Sequence, residues 1–179
     1  MNDVYDYASD IHNPRKRAQS LEGSVLSPSD HAFVLASARV SSILIIISFL
    51  PSIFSLDLHG LALDIDIQTL FLVFLLLLLS WGYSAPPLRL KARPILDSLT
   101  NGLIVWLVWA CGYSARGGSF FGHNRSGKET KGWILALLTS GIHALGAGAD
   151  IDSDAAAGQM TIAVALGRRF TAAIAASCL

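Results

Sequence analysis

Long apolar blocks separated by short polar stretches dominate this chain of 179 residues. A helix needs about 20 apolar residues to cross some 30 Å of hydrocarbon. Four blocks approach that length and a fifth follows, so the pattern predicts transmembrane helices over 31–56, 61–83, 95–113, 132–148 and 162–179. The first contains Val40 to Leu50, with Pro51 near its far end, where a helix stops or kinks. The second contains the run Leu70 to Leu79, which has no polar face and is suited to lipid on much of its circumference. In the third, Trp106 and Trp109 lie at helical spacing. The fold expected is all-α, a polytopic transmembrane bundle forming a single domain over 1–179.

Composition agrees with the pattern. Hydrophobic residues make up 53% and charged residues 15%, against about 45–50% and about 25% in soluble domains. Formal net charge is zero, which points to no nucleic-acid partner. Cys111 and Cys178 sit in apolar segments at no metal-ligand or disulfide spacing, and read as small buried hydrophobes.

Helix parity places three polar stretches on one side: residues 1–30, Ser84–Pro94 and Asp150–Thr161. Eight cations belong to that side: Arg15, Lys16, Arg17, Arg89, Lys91, Arg93, Arg168 and Arg169. The opposite loop carries four, Arg116, Arg125, Lys128 and Lys131. The excess makes the first side cytoplasmic. Lipid headgroups are natural partners for these cations.

Acidic residues are concentrated on the same side. Asp3, Asp6 and Asp10 are spaced by three and four, which stacks them on one helix face. Like charges so placed destabilise a bare helix, so a solvated face or a cation must compensate them. Asp150 and Asp154 are four apart at the end of the fourth block, with Asp152 pointing elsewhere. Carboxylates at a span end tend to be functional. Gly158 permits a break in the backbone soon after. Mg²⁺ prefers oxygen ligands and takes one or two carboxylates with waters and phosphates. Arg89, Lys91 and Arg93 would suit a diphosphate on the same side, or lipid headgroups. A cation transporter would instead want its acids near mid-membrane. A soluble diphosphate-using synthase would not carry the leucine run. His143, mid-way along the fourth block, reads as a helix–helix hydrogen-bonding residue. Asp97 could bind Lys91 or Arg93, or cap its own helix.

These residues resemble the UbiA superfamily of intramembrane prenyltransferases. Asn2-Asp3-x-x-Asp6-x-x-x-Asp10 matches that family's first motif, and Asp150-x-x-x-Asp154 its second, with Gly158 and Thr161 downstream. Tyr83-Ser-Ala-Pro-Pro-Leu-Arg-Leu-Lys91, continuing through Arg93 to Asp97, resembles the family's loop between its fourth and fifth helices. With Asn13-Pro-Arg-Lys16, the wording is closest to the lycopene-elongase-like branch. The resemblance implies a nine-helix fold, of which this chain supplies about helices three to seven, leaving the cavity wall incomplete. It implies that Asp3, Asp6, Asp10, Asp150 and Asp154 hold Mg²⁺ against an allylic prenyl diphosphate. Asn2 would orient that donor or a metal-bound water, Arg89, Lys91 and Arg93 would bind its diphosphate, and Tyr5, Tyr7 or Tyr83 would face the allylic cation formed from it. The acceptor would be a hydrophobic alkene or aromatic ring in the membrane. A catalytically inactive fragment of such an enzyme would carry the same motifs.

Overall fold

The computed structural model of the protein describes residues 1–16, 24–48, 67–120 and 129–179. All regular structure among them is helical. α1 spans Asn2–Asp10, α2 His31–Ser48, α3 Ile67–Ser84, α4 Leu96–Ser114, α5 Glu129–Ala156, α6 Ile162–Leu166 and α7 Arg168–Cys178. Short 3₁₀ turns cover Pro14–Lys16, Pro28–Asp30 and Leu90–Ala92. The far end of the expected first span, including Pro51, and the start of the second, at 61–66, lie outside the described residues, as do Arg17, Arg125 and Lys128.

Among the described residues, three helices are long and apolar enough to cross a membrane: Pro28–Ser48, Ile67–Ser84 and Thr130–Ala156. The residues of the expected third span form α4, which is not among these three; Asp97, Ser98, Thr100 and Asn101 make its first turns polar. The expected fourth span is longer than the pattern implied. It continues to Ala156, so Asp150 and Asp154 stand on the helix itself and not in a loop. The expected fifth span is not one helix. The chain breaks at Gly167, whose φ of 80° is a conformation that glycine adopts without steric cost.

α3, α4, α5 and α7 pack side by side in sequence order, with α6 tucked against α5 and α7. Small residues allow the close approaches. A Cβ on Gly102 of α4 would meet the Ser140 hydroxyl and the Ala136 carbonyl of α5. One on Gly141 of α5 would meet Cys178 and Ala175 of α7. In lipid there is little hydrophobic drive between helices, and small residues at contacts let backbones approach closely. One apolar cluster joins Ala144, Ala147, Ile162, Ala163 and Ala175, and a second joins Leu72, Leu107 and Ala110. α2 buries no residue in this bundle, and Ile43 to Ile47 stand exposed along it.

The bundle has two distinct ends. Rings of Trp106, Trp109, Tyr113, Phe120 and Trp133 cluster at one, with Trp109 and Tyr113 stacked at 5.1 Å. Gln68 lies there too, donating to the Ser114 hydroxyl at 2.6 Å and accepting from the Phe120 amide at 3.1 Å. The carboxylate clusters occupy the other end, where α3 and α5 finish, α4 begins and α1 crosses.

Candidate functional site

α1 begins with Asp3 in its first turn, where the helix dipole favours negative charge. Asn2 reaches one turn on to Asp6 with a 2.6 Å hydrogen bond. Repulsion between the stacked aspartates is met by the chain's own cations. Lys16 lies 2.8 Å from Asp10 and 3.2 Å from Asp3. Lys91 lies 2.5 Å from Asp6. The 3₁₀ turn at Pro14–Lys16 folds Lys16 back onto α1, and Asn13 fixes it by accepting the Arg15 amide at 3.0 Å.

The second cluster meets the first from α5. Ser9 donates to Asp154 at 2.8 Å, Asn13 donates to Asp150 at 2.8 Å, and Arg15 pairs with Asp150. Asp152, on the far face, is 94% exposed and pairs with Arg168 at 3.3 Å. α5 ends at Ala156, and Gly158, with φ 68°, turns the chain back. That return brings Gln159 within 3.4 Å of Asp6 and puts Thr161 at the head of α6, where its hydroxyl accepts the Val164 amide.

Between these walls lies a cavity of about 260 Å³. Asp6 and Asp10 line it from α1, and Asp150 and Asp154 from α5. Asn2, Ser9, Asn13, Lys16, Lys91, Gln159 and Thr161 complete its polar lining, and Tyr83, His143, Gly146 and Ala147 form its floor toward the middle of the bundle. His143 lies 3.3 Å from the Tyr83 hydroxyl and 3.2 Å from the Asn101 side-chain nitrogen. It therefore ties α3, α4 and α5 together beneath the carboxylates.

Not every residue singled out from the sequence reaches this cavity. Asp3 lies outside its lining, held by Lys16 at the rim. Of the three cations after α3, only Lys91 enters. Arg89 has a left-handed backbone (φ 43°) and donates to the Tyr5 carbonyl at 3.3 Å, bracing α1 from behind. Arg93 is exposed. Asp97 binds neither Lys91 nor Arg93. It is fully buried and accepts the Ser98 and Ile162 amides, each at 2.7 Å, so the helix end it caps includes α6. Ser9, Asn13, Arg15, Lys16 and Gln159 had no assigned part in the site from the sequence. Their partners lie up to 153 residues away, and no local spacing reveals such pairs.

Burial shapes the charges. It raises the Asp10 carboxyl above the usual range, and pairing with Lys16 offsets only part of this. Burial alone would lower Lys16, but Asp10 and Asp3 outweigh it and raise the ammonium. Lys91, with a side chain only 5% exposed, is held below the ordinary lysine range by burial despite Asp6. A buried ammonium with that balance is receptive to further negative charge.

The donor set fits Mg²⁺. Four carboxylates stand in two pairs on facing walls, and Mg²⁺ uses one or two carboxylates alongside waters and phosphates. Among the described residues, no three His, Cys, Asp or Glu side chains stand close enough together to hold a metal ion by themselves.

A family model described as "UbiA prenyltransferase family" matches residues 1–179. The chain belongs to the UbiA prenyltransferase family. Among curated proteins, it is 34% identical to a lycopene elongase/hydratase of Haloarcula japonica, over 96% of this chain and 50% of the relative. It is 39% identical to a lycopene elongase/hydratase of Corynebacterium glutamicum, over 56% of this chain and 30% of that one. A C(50) beta-cyclic carotenoids biosynthesis protein of Dietzia sp. is 30% identical, over 99% of this chain and 37% of its own length. The chain thus spans half or less of the length of these relatives. No solved structure gives a significant match. These likenesses support the lycopene-elongase-like branch of the UbiA family, and the helical bundle agrees with a UbiA-type membrane fold.

Proposed function

We propose that this chain carries the diphosphate-binding site of a carotenoid prenyltransferase, which moves a prenyl group from an allylic diphosphate to a hydrophobic acceptor within the membrane. Lycopene is the acceptor that the relatives' names suggest. The observation that carries this reading is the convergence of Asp6, Asp10, Asp150, Asp154 and Lys91 on one cavity at the membrane-surface end of the bundle. Asp6 and Asp10 on one wall, and Asp150 and Asp154 on the other, would hold Mg²⁺, with Asp3 in reserve at the rim. Bound there, Mg²⁺ would neutralise the charge that develops on diphosphate as the allylic carbon–oxygen bond breaks.

The chain's own groups account for the rest. Lys91 presents a fixed positive charge to the leaving phosphate, and Asn2 holds that ammonium at 3.3 Å. Arg89 supports the site indirectly, through Tyr5, and Arg93 lies free for headgroups. Tyr83 offers its ring to the allylic cation from the cavity floor, and His143 holds its hydroxyl. The apolar helices below exclude water that would quench the cation. The excess of cations on this side favours a cytoplasmic, multi-pass placement.

The test is product analysis. Membranes carrying the chain are given Mg²⁺, labelled dimethylallyl diphosphate and lycopene. A labelled, elongated carotenoid that depends on Asp6 and Asp150 is the expected result. Label that stays in the diphosphate, with lycopene unchanged, would overturn the reading.

A further inference from the structure

The turn Pro14–Lys16 belongs to neither aspartate motif, yet it touches both. Arg15 pairs with Asp150 of the second cluster, and Lys16 binds Asp10 and Asp3 of the first. Asn13 anchors the turn from both sides, donating to Asp150 and accepting the Arg15 amide. Two adjacent cations therefore occupy carboxylate oxygens on opposite walls of the cavity. Two of them, on Asp10 and Asp150, belong to carboxylates that line the cavity and are proposed above to hold Mg²⁺.

We infer that Arg15 and Lys16 are exchangeable counter-ions. They neutralise the two clusters before ligands arrive, and turn to the phosphate oxygens of the diphosphate once Mg²⁺ holds the carboxylates. The inference rests on the diphosphate reading above. Three features carry it. A carboxylate oxygen bound by an ammonium or guanidinium competes poorly as a metal ligand, so metal entry must break these pairs. The released cations stay at the cavity, because backbone bonds from the Asn13 amide to the Asp10 carbonyl and from the Lys16 amide to the Asn13 carbonyl, each 3.1 Å, hold the turn to the end of α1. The nearest new anion is then the metal-bound phosphate, for which a guanidinium is geometrically suited. Lys16 already lines the cavity, and Arg15 stands half-exposed at its edge, so neither need cross the bundle to make the exchange.

The exchange makes a prediction of opposite sign for two ligands. The full chain is purified into lipid nanodiscs as wild type, Arg15→Gln, Lys16→Gln, the double variant and Arg15→Lys. Free Mn²⁺ is read by electron paramagnetic resonance, without and with inorganic pyrophosphate as the probe. Without pyrophosphate, the double variant binds Mn²⁺ about tenfold more tightly, since its competitors are gone. At saturating Mn²⁺, the same variant binds pyrophosphate about tenfold more weakly. Arg15→Lys, which keeps the charge, stays near wild type in the metal-only arm. Weaker Mn²⁺ binding in the double variant, or no change in either arm, would overturn the exchange and leave the turn a structural brace. Wild-type protein that binds neither Mn²⁺ nor pyrophosphate would overturn the diphosphate reading as well. Wild-type binding of both without the opposed shifts sinks the exchange alone.

Discussion

Ser9 donates a 2.8 Å hydrogen bond to Asp154 across 145 residues of sequence, and both side chains are buried. This bond clasps the first aspartate motif to the second. Ser9→Ala leaves a buried carboxylate short of a donor. The expected loss is about 2 kcal/mol of stability, read as a lower midpoint of thermal unfolding in detergent. An unchanged midpoint would show that the two walls are held by other contacts.

Asp6 and Lys91 form the most enclosed ion pair of the cavity. Asp6→Asn leaves an ammonium without its counter-charge, and removing one partner of a buried pair costs about 3–5 kcal/mol. The pair is partly hydrated on the Asp6 side, so the lower end of that range is expected. Prenyl transfer should fall by at least about 100-fold. Lys91→Met, which removes the ammonium while keeping a side chain of similar length, should instead be assayed for diphosphate affinity, and a variant binding as tightly as wild type would remove Lys91 from the site.

The Lys16 pairs set an alkaline limit. The folded chain holds this ammonium above its ordinary value of 10.5 because Asp10 and Asp3 outweigh burial. Its contribution to stability is therefore complete below 10.5 and is lost as pH rises through the raised folded value. Thermal midpoints measured from pH 8 to pH 12 should fall more steeply at the alkaline end in wild type than in Lys16→Met. Parallel curves would mean that the pairs add nothing to folding.

His143 orients Tyr83 without touching the carboxylates. His143→Ala should lower prenyl transfer about tenfold while Mg²⁺ dependence stays unchanged. A shifted Mg²⁺ requirement would mean that the ring acts on the metal site.

Gly102 lets α4 approach the Ser140 hydroxyl and the Ala136 carbonyl of α5. Gly102→Leu would force the helices apart at a cost of about 1–3 kcal/mol. Gly112, where an added Cβ meets nothing, serves as the control, and its alanine variant should unfold at or slightly above the wild-type midpoint.

Much of this architecture is legible in the residue pattern, and the reasons differ by residue. Asp150 and Asp154 share a helix face because they are four apart, and the leucine run of α3 marks a span by length alone. The pattern stopped α5 too early because it tracked hydropathy, whereas the helix continues through polar residues until Ala156. It also joined α6 to α7, although Gly167 stood in the sequence as a breaker. Alternate spacing of Arg89, Lys91 and Arg93 cannot say which of them turns inward, since the left-handed Arg89 and the 3₁₀ turn after it reset the direction. Asp97 was read against its neighbours in sequence, but its partner is the Ile162 amide, 65 residues on. Long-range polar pairs of this kind leave no local periodicity.

Asp97 also separates the two walls of the site by the way each is fastened. Through the Ile162 amide, it rivets the return segment of the second motif to α4. α1 buries only Ser9 and Asp10 and meets the opposite wall through charged and polar side chains, with little apolar surface to hold it. One wall is thus riveted by a buried bond from a backbone amide, and the other is fastened chiefly by charge pairs and polar bonds.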